Sequence, residues 1–107
     1  MRKEYNKLVR DGIPELIRQD NHEYEVVVMG EEEYREALRQ KLVEEAGEVA
    51  AADHQRLVSE LADLYEVIDA VMAAYGIERE LVLVEQVRRR VDRGGFLKRL
   101  KLLWTRG

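Results

Sequence analysis

Two long segments with helical periodicity, joined by a very short polar connection, constrain the fold of this chain most. In both segments apolar side chains recur every three or four positions, which is typical of amphipathic helices. They are Tyr34, Leu38, Leu42, Ala46 and Val49 in residues 31–52, and Leu57, Leu61, Leu64, Tyr65, Ile68 and Met72 in residues 56–75. Because only residues 53–55 separate the segments, the two helices must run antiparallel. The sequence therefore predicts a helical hairpin.

The remaining elements are shorter. Pro14 suits the first turn of a helix, here over residues 14–19, and the β-branched residues 24–29, closed by Gly30, predict a strand. A third helix is expected over residues 78–92, and residues 96–104 fit either a strand or a helix. With 107 residues there is room for one domain. The expected fold is mainly all-α, an antiparallel helical bundle with a short N-terminal helix and a small strand element.

Composition narrows the classes of function. The chain has 37% charged and 46% hydrophobic residues, a net charge of -4 and no cysteine. An acidic balance disfavours general nucleic-acid binding, and the absence of cysteine excludes thiolate metal ligands. We find no signal peptide and no apolar run long enough for a bilayer, so the expectation is a cytoplasmic protein that binds neither nucleic acid nor membrane. A helical chain of this size often gains stability by pairing with a copy of itself.

Four carboxylates are expected to converge across the hairpin. Glu45 and Glu48 lie on one side of the first apolar stripe, and Glu60 and Asp63 lie on one side of the second. Folding the chain about His54 matches Glu48 with Glu60 and Glu45 with Asp63, in two rungs about 4.5 Å apart along the axis. Such a cluster repels itself unless a cation neutralises it, and Mg²⁺ prefers oxygen ligands. The competing interpretation is a solvated charged surface, as in most helices rich in Glu and Lys.

The same residues carry a resemblance to a known family. The run from Glu44 to Glu48, followed by eleven residues and then Glu60-Leu61-Ala62-Asp63, resembles the EExxE…ExxD signature of the MazG-like all-α nucleoside triphosphate pyrophosphohydrolases. Residues 6–14 (NKLVRDGIP) resemble the NKLVRDKIP segment of a small MazG-like subgroup, with Gly12 in place of lysine. Residues 41–45 (KLVEE) and 93–96 (RGGF) are similar to its KLxEE and RGGF.

The resemblance implies a homodimer or homotetramer that cleaves a nucleoside triphosphate to a monophosphate and pyrophosphate, for example in cleaning the nucleotide pool. It implies Mg²⁺, with Mn²⁺ as a substitute, held by Glu45, Glu48, Glu60 and Asp63. Glu45, on the more buried side of its helix, is the better candidate to activate the attacking water. Glu44 faces outward but lies close enough to Glu48 around the helix to reach the same metals.

Basic residues provide candidate contacts to the triphosphate. Lys41 is the strongest, because it precedes Glu45 by about one turn on the acidic side, and the others are Lys7, Arg10, Arg93 and Lys98. Two alternatives remain open. One is a phosphoribosyl-ATP pyrophosphohydrolase that uses the same carboxylates. The other is a non-catalytic helical module that binds a nucleotide or a partner protein.

Overall fold

The computed structural model describes all residues, 1–107, and its only regular secondary structure is helical. Its four helices are α1 (Ile13–Gln19), α2 (Glu31–Ala51), α3 (Leu57–Ala74) and α4 (Arg79–Arg93). The predicted all-α class is confirmed, and each helix begins and ends within one or two residues of its expected bounds. None of these helices combines the length and the apolarity that crossing a membrane requires. The residues form two compact units, Met1–Gly76 and Ile77–Gly107, which are described separately.

The predicted strand over residues 24–29 is wrong. No residue of the chain is in a strand, and no backbone group of these six residues bonds to another backbone group. Val27 and Val28 are largely exposed. β-Branched residues favour extended backbone locally, but a strand also needs a partner that supplies the ladder of hydrogen bonds.

Helices α2 and α3 pack against each other and form the core of the first unit. Arg35, in the first turns of α2, donates hydrogen bonds to the backbone oxygen of Ala74, the last residue of α3. The helices are therefore antiparallel, as predicted. Leu38 and Val67 are the buried apolar residues, and Glu60 is the one buried charged residue.

The inward face of α3 is only partly the predicted one. Of the predicted apolar stripe, Leu61 and Tyr65 are exposed and the other four residues are half-buried, whereas Glu60 and Val67 point into the hairpin. The inward face is thus rotated by about one residue, or about 100°. Since apolar residues lie around most of α3, periodicity alone cannot select the side that faces α2. This rotation brings a carboxylate into the packed interface.

The second unit consists of α4 and an irregular tail. Gly94 follows α4 with a φ of 82°, a left-handed conformation that glycine adopts without strain. Residues 96–104 form neither a strand nor a helix, and no residue of this unit is buried within it. Residues 88–90 of α4 are three consecutive arginines. Arg88 pairs with Glu85 and Asp92 on the same helix, so part of this positive charge is neutralised there. The prediction of one domain spanning residues 1–107 remains a prediction.

Candidate metal centre

Three of the four predicted carboxylates converge near the closed end of the hairpin. Each of Glu45, Glu60 and Asp63 offers one oxygen that lies within 4.8 Å of those of the other two. Glu45 comes from α2, while Glu60 and Asp63 stand one turn apart on α3. The antiparallel packing of the two helices is what brings them together.

Burial within this group of three, the carboxylate cluster, is uneven. The side chain of Glu60 is only 11% exposed and that of Glu45 only 13% exposed. Asp63 is the accessible member, with a side chain that is 44% exposed. The cluster therefore has two oxygen ligands set into the hairpin and one that opens toward solvent.

Each carboxylate of the cluster has a cationic partner. Lys41 Nζ lies 3.7 Å from Glu45 Oε1, and Arg56 Nη2 lies 2.9 Å from Glu60 Oε1. Arg10 Nη2 donates to Asp63 Oδ1 at 2.7 Å. Three cations thus face three carboxylates, so the expected self-repulsion is already relieved by the chain itself. These ion pairs supply the neutralising cations that the sequence argument requires.

Glu44 lies beside the cluster and is held by two lysines. Lys7 Nζ donates to Glu44 Oε1 at 2.9 Å, and Lys41 Nζ donates to Glu44 Oε2 at 3.4 Å. The hydrogen bond from Lys7 lowers the pKa of Glu44 below its ordinary value, and the same bond raises the pKa of Lys7. Glu44 is therefore half-buried rather than facing outward, because residues 6–10 cover this side of α2. Glu45 is the more buried of the two, as predicted.

A cleft of about 300 Å³ adjoins Glu44. Asn6, Lys7 and Leu8 line one side of this cleft, and residues of α2, among them Glu33, Glu36, Lys41 and Glu44, line the other. Its volume is at the lower end of the range for small-molecule sites. The cleft therefore carries charged groups of both signs, two ammonium groups and three carboxylates.

The donor set of the cluster fits a hard divalent cation. All three groups offer carboxylate oxygens, which Mg²⁺ prefers, and neighbouring ligand oxygens around Mg²⁺ lie about 3 Å apart at metal–oxygen distances of about 2.1 Å. The three oxygens lie within 4.8 Å of one another, which is compatible with ligands that share one ion.

The structure leaves other predicted site residues outside the cluster. Glu48 is exposed and offers no oxygen within the 4.8 Å group. Arg93, at the end of α4, and Lys98 are exposed residues of the second unit. Sequence reasoning missed Arg56, although its spacing of four residues from Glu60 on one helix was a usable signal.

A larger and shallower hollow, of about 560 Å³, lies at the open end of the hairpin. Its guanidinium groups already have partners there. Arg35 binds the carbonyl of Ala74, and Arg39 donates to the Tyr75 hydroxyl at 2.9 Å. Both guanidiniums also lie about 5 Å from the centre of the Tyr75 ring. These contacts fasten the end of α3 to α2, so we assign this hollow a structural role.

No family model, no curated protein and no solved structure matches this chain. The functional argument therefore depends on the residues and their geometry.

Proposed function

We propose that this chain is a magnesium-dependent nucleoside triphosphate pyrophosphohydrolase of the MazG-like type. The observation that carries the proposal is the convergence of Glu45, Glu60 and Asp63 from two antiparallel helices. In the spacing that resembles the EExxE…ExxD signature, the EExxE half supplies Glu45, and the ExxD half supplies Glu60 and Asp63. Lys7 and Lys41 line the adjoining cleft, and these are the groups that we propose to contact the phosphate oxygens.

In the proposed reaction, Glu45, Glu60 and Asp63 hold magnesium, with Mn²⁺ as a substitute and Glu48 as a further candidate ligand. When bound, the metal polarises phosphoryl oxygens and lowers the pKa of a coordinated water. Glu45 accepts a proton from the attacking water, whose oxygen bonds to the α-phosphorus. The bond from the α-phosphorus to the bridging oxygen breaks, so the products are a nucleoside monophosphate and pyrophosphate.

The basic residues near the cluster orient the triphosphate. Lys41, with a side chain that is mostly buried, touches both Glu44 and Glu45 and is thus placed between the cleft and the cluster. Lys7 and Arg10 approach the same region from the N-terminal segment. Ammonium and guanidinium groups stabilise negative charge on phosphate oxygens through charge-assisted hydrogen bonds. Glu44 orients the two lysines rather than binding metal itself.

The proposal includes a homodimer or homotetramer in the cytoplasm. The oligomer is supported by the exposed apolar side chains of α3, which are Val58, Leu61 and Tyr65. A helix with apolar residues on its exposed side is commonly covered by another helix. Light scattering after size exclusion measures the mass; a monomer at all concentrations contradicts this part.

The enzymatic proposal is tested by incubating the purified chain with canonical and modified nucleoside triphosphates and with phosphoribosyl-ATP. Products are separated by chromatography, with Mg²⁺ or with EDTA. We expect metal-dependent release of pyrophosphate, and Asp63→Asn is the matched inactive control. Cleavage of phosphoribosyl-ATP alone identifies the first alternative enzyme. Nucleotide binding without any product identifies the non-catalytic module and refutes the proposal.

A further inference from the structure

We propose that Arg10 is a displaceable counter-ion of the carboxylate cluster, so that metal binding at Asp63 and docking of the N-terminal segment oppose each other. The N-terminal segment is defined here as residues 6–11. The inference depends on the metal site of the proposed function. It adds a role for a residue that the EExxE…ExxD spacing does not include.

The three cations of the cluster differ in how they are attached. Lys41 and Arg56 each stand four residues from the carboxylate they face, on the same helix or at its start. Both cations are therefore carried by the hairpin itself. Arg10 is 53 residues from Asp63 and reaches it from outside the hairpin. A movement of the segment that carries Arg10 can therefore take this cation away from the cluster without disturbing α2 or α3.

The attachment of the N-terminal segment favours such movement. The backbone of residues 2–9 makes no hydrogen bond to another backbone group, and the Arg10 carbonyl accepts one from Ile13 at the start of α1. Toward the hairpin, the segment is held by the side-chain pairs Lys7–Glu44 and Arg10–Asp63. Leu8 and Val9 are half-buried and add a small apolar contact. Local structure with few backbone hydrogen bonds and little burial opens at low free energy.

Electrostatics then requires competition. The cluster is already balanced by three cations, and a divalent ion adds two positive charges close to the Arg10 guanidinium. Like charges at a few ångströms repel, and both cations are drawn to the exposed Asp63 carboxylate. By linkage, if docking of Arg10 weakens metal binding, then the metal weakens docking of the segment by the same factor.

The displaced guanidinium is well placed for a second task. The Arg10 carbonyl accepts a hydrogen bond from the Ile13 N–H, so the backbone of Arg10 is attached to the start of α1. Arg10 therefore stays attached to α1 when its side chain leaves Asp63, and its planar group can then bind two phosphate oxygens at once. The metal thus takes the Asp63 carboxylate from Arg10, and the phosphate of the substrate becomes the new partner of Arg10.

The first test measures Mn²⁺ binding by isothermal titration calorimetry in the absence of nucleotide. We expect Arg10→Gln to bind Mn²⁺ about twofold to fivefold more tightly than the unaltered chain, the range expected for loss of an exposed ion pair. Arg10→Lys keeps the charge and should lie between the two. The matched control is Arg18→Gln, since Arg18 pairs with Glu15 within α1. Unchanged or weaker binding by Arg10→Gln overturns the inference.

The second test measures movement directly. The chain has no cysteine, so two exposed positions, Tyr5 and Val43, can be replaced by cysteine and spin-labelled without background. We expect Mg²⁺ to broaden or lengthen the distance distribution between the labels. The same labels in the Arg10→Gln background should show the broader distribution before Mg²⁺ is added. A distribution that Mg²⁺ leaves unchanged contradicts displacement.

The two tests separate this inference from the proposed function. Pyrophosphate release together with unaltered Mn²⁺ affinity in Arg10→Gln refutes the counter-ion role alone. Tighter Mn²⁺ binding without any pyrophosphate release refutes the enzymatic proposal and leaves the counter-ion role in place. Failure of every variant to bind Mn²⁺ refutes both.

Discussion

The two ends of the α2–α3 hairpin both use arginine side chains, but they give them different acceptors. At the open end, Arg35 and Arg39 donate to a backbone carbonyl and to a hydroxyl of α3 and its C-terminal residue, and the only carboxylate that Arg35 pairs with is Glu31 on its own helix. At the closed end, Arg10 and Arg56 donate to carboxylates. A cation on a neutral acceptor completes the hydrogen bonding of a helix terminus. A cation that pairs with a carboxylate neutralises its negative charge, and a second cation can compete for the same carboxylate.

The comparison separates stability from chemistry. Loss of an open-end arginine removes contacts that hold the last turn of α3 against α2. Loss of a closed-end carboxylate removes an oxygen ligand while the apolar core of Leu38 and Val67 remains. We therefore expect changes at the open end to alter the free energy of unfolding, and changes at the closed end to alter metal binding and turnover.

The largest expected effect is at Glu60. Glu60→Gln should reduce the rate of pyrophosphate release by at least about a hundredfold. This factor is the upper end of the loss of activity when a residue that only supports a metal ligand is replaced. The amide oxygen can still accept the hydrogen bond from Arg56, so the free energy of unfolding should change by less than about 1 kcal/mol. Steady-state rates and urea titrations measure the two quantities. The matched control is Glu32→Gln at the open end, and equal rates in the two variants refute the contrast.

The next effect is on stability. Arg35→Met removes two hydrogen bonds to Ala74 and a cation–π contact with Tyr75. We expect a loss of about 1–2 kcal/mol in the free energy of unfolding, measured by urea titration. The turnover of the folded protein should stay within about twofold, because the arginine lies several helical turns from the cluster. A large loss of turnover without loss of stability would place chemistry at the open end.

The smallest effect is the pH dependence of the Lys7–Glu44 pair. The pKa of Glu44 lies below its ordinary 4.5, so its contribution to stability is present above that pH and is lost as the pH falls through the lower folded-state value. The pKa of Lys7 lies above its ordinary 10.5, so its contribution is present below that pH and is lost as the pH rises through the higher value. The pair is therefore complete between these limits.

Both partners are partly exposed, so we expect less than about 1 kcal/mol from the pair. The measurement is the difference in unfolding free energy between the unaltered chain and Lys7→Met, at pH 7 and at pH 3. We expect the difference to shrink at pH 3, and Lys101→Met, an exposed lysine of the second unit, should show no such trend. A difference that grows on acidification contradicts the assignment.

Local patterns predicted the helices well and the site only in part. Apolar periodicity, Pro14 and the glycines at 30 and 76 defined the helix bounds, because these signals act over a few residues. Counting outward from His54 placed Glu45 and Asp63 at the same height, and the structure brings them together. Height along an axis does not specify the direction of a side chain, however. Glu48 was matched to Glu60 in this way and lies exposed.

The contacts that the sequence did not reveal are those between distant segments. The pair Arg10–Asp63 spans 53 positions, and no spacing rule connects residues so far apart. The sequence also did not show that the Glu60 side chain points toward α2, because α3 has apolar residues on several sides. Residues 24–29 show the opposite error, since their composition favours a strand and the fold supplies no neighbouring strand.

Glu60 occupies a position where a residue such as leucine would ordinarily be expected. A well-packed apolar side chain often serves an interface between helices as well as a buried ion pair, or better. The chain therefore carries, in the interface between its two long helices, a buried residue that is poorly chosen for stability alone. Evolution toward a sturdier hairpin and evolution toward a better catalyst would pull this one position in opposite directions.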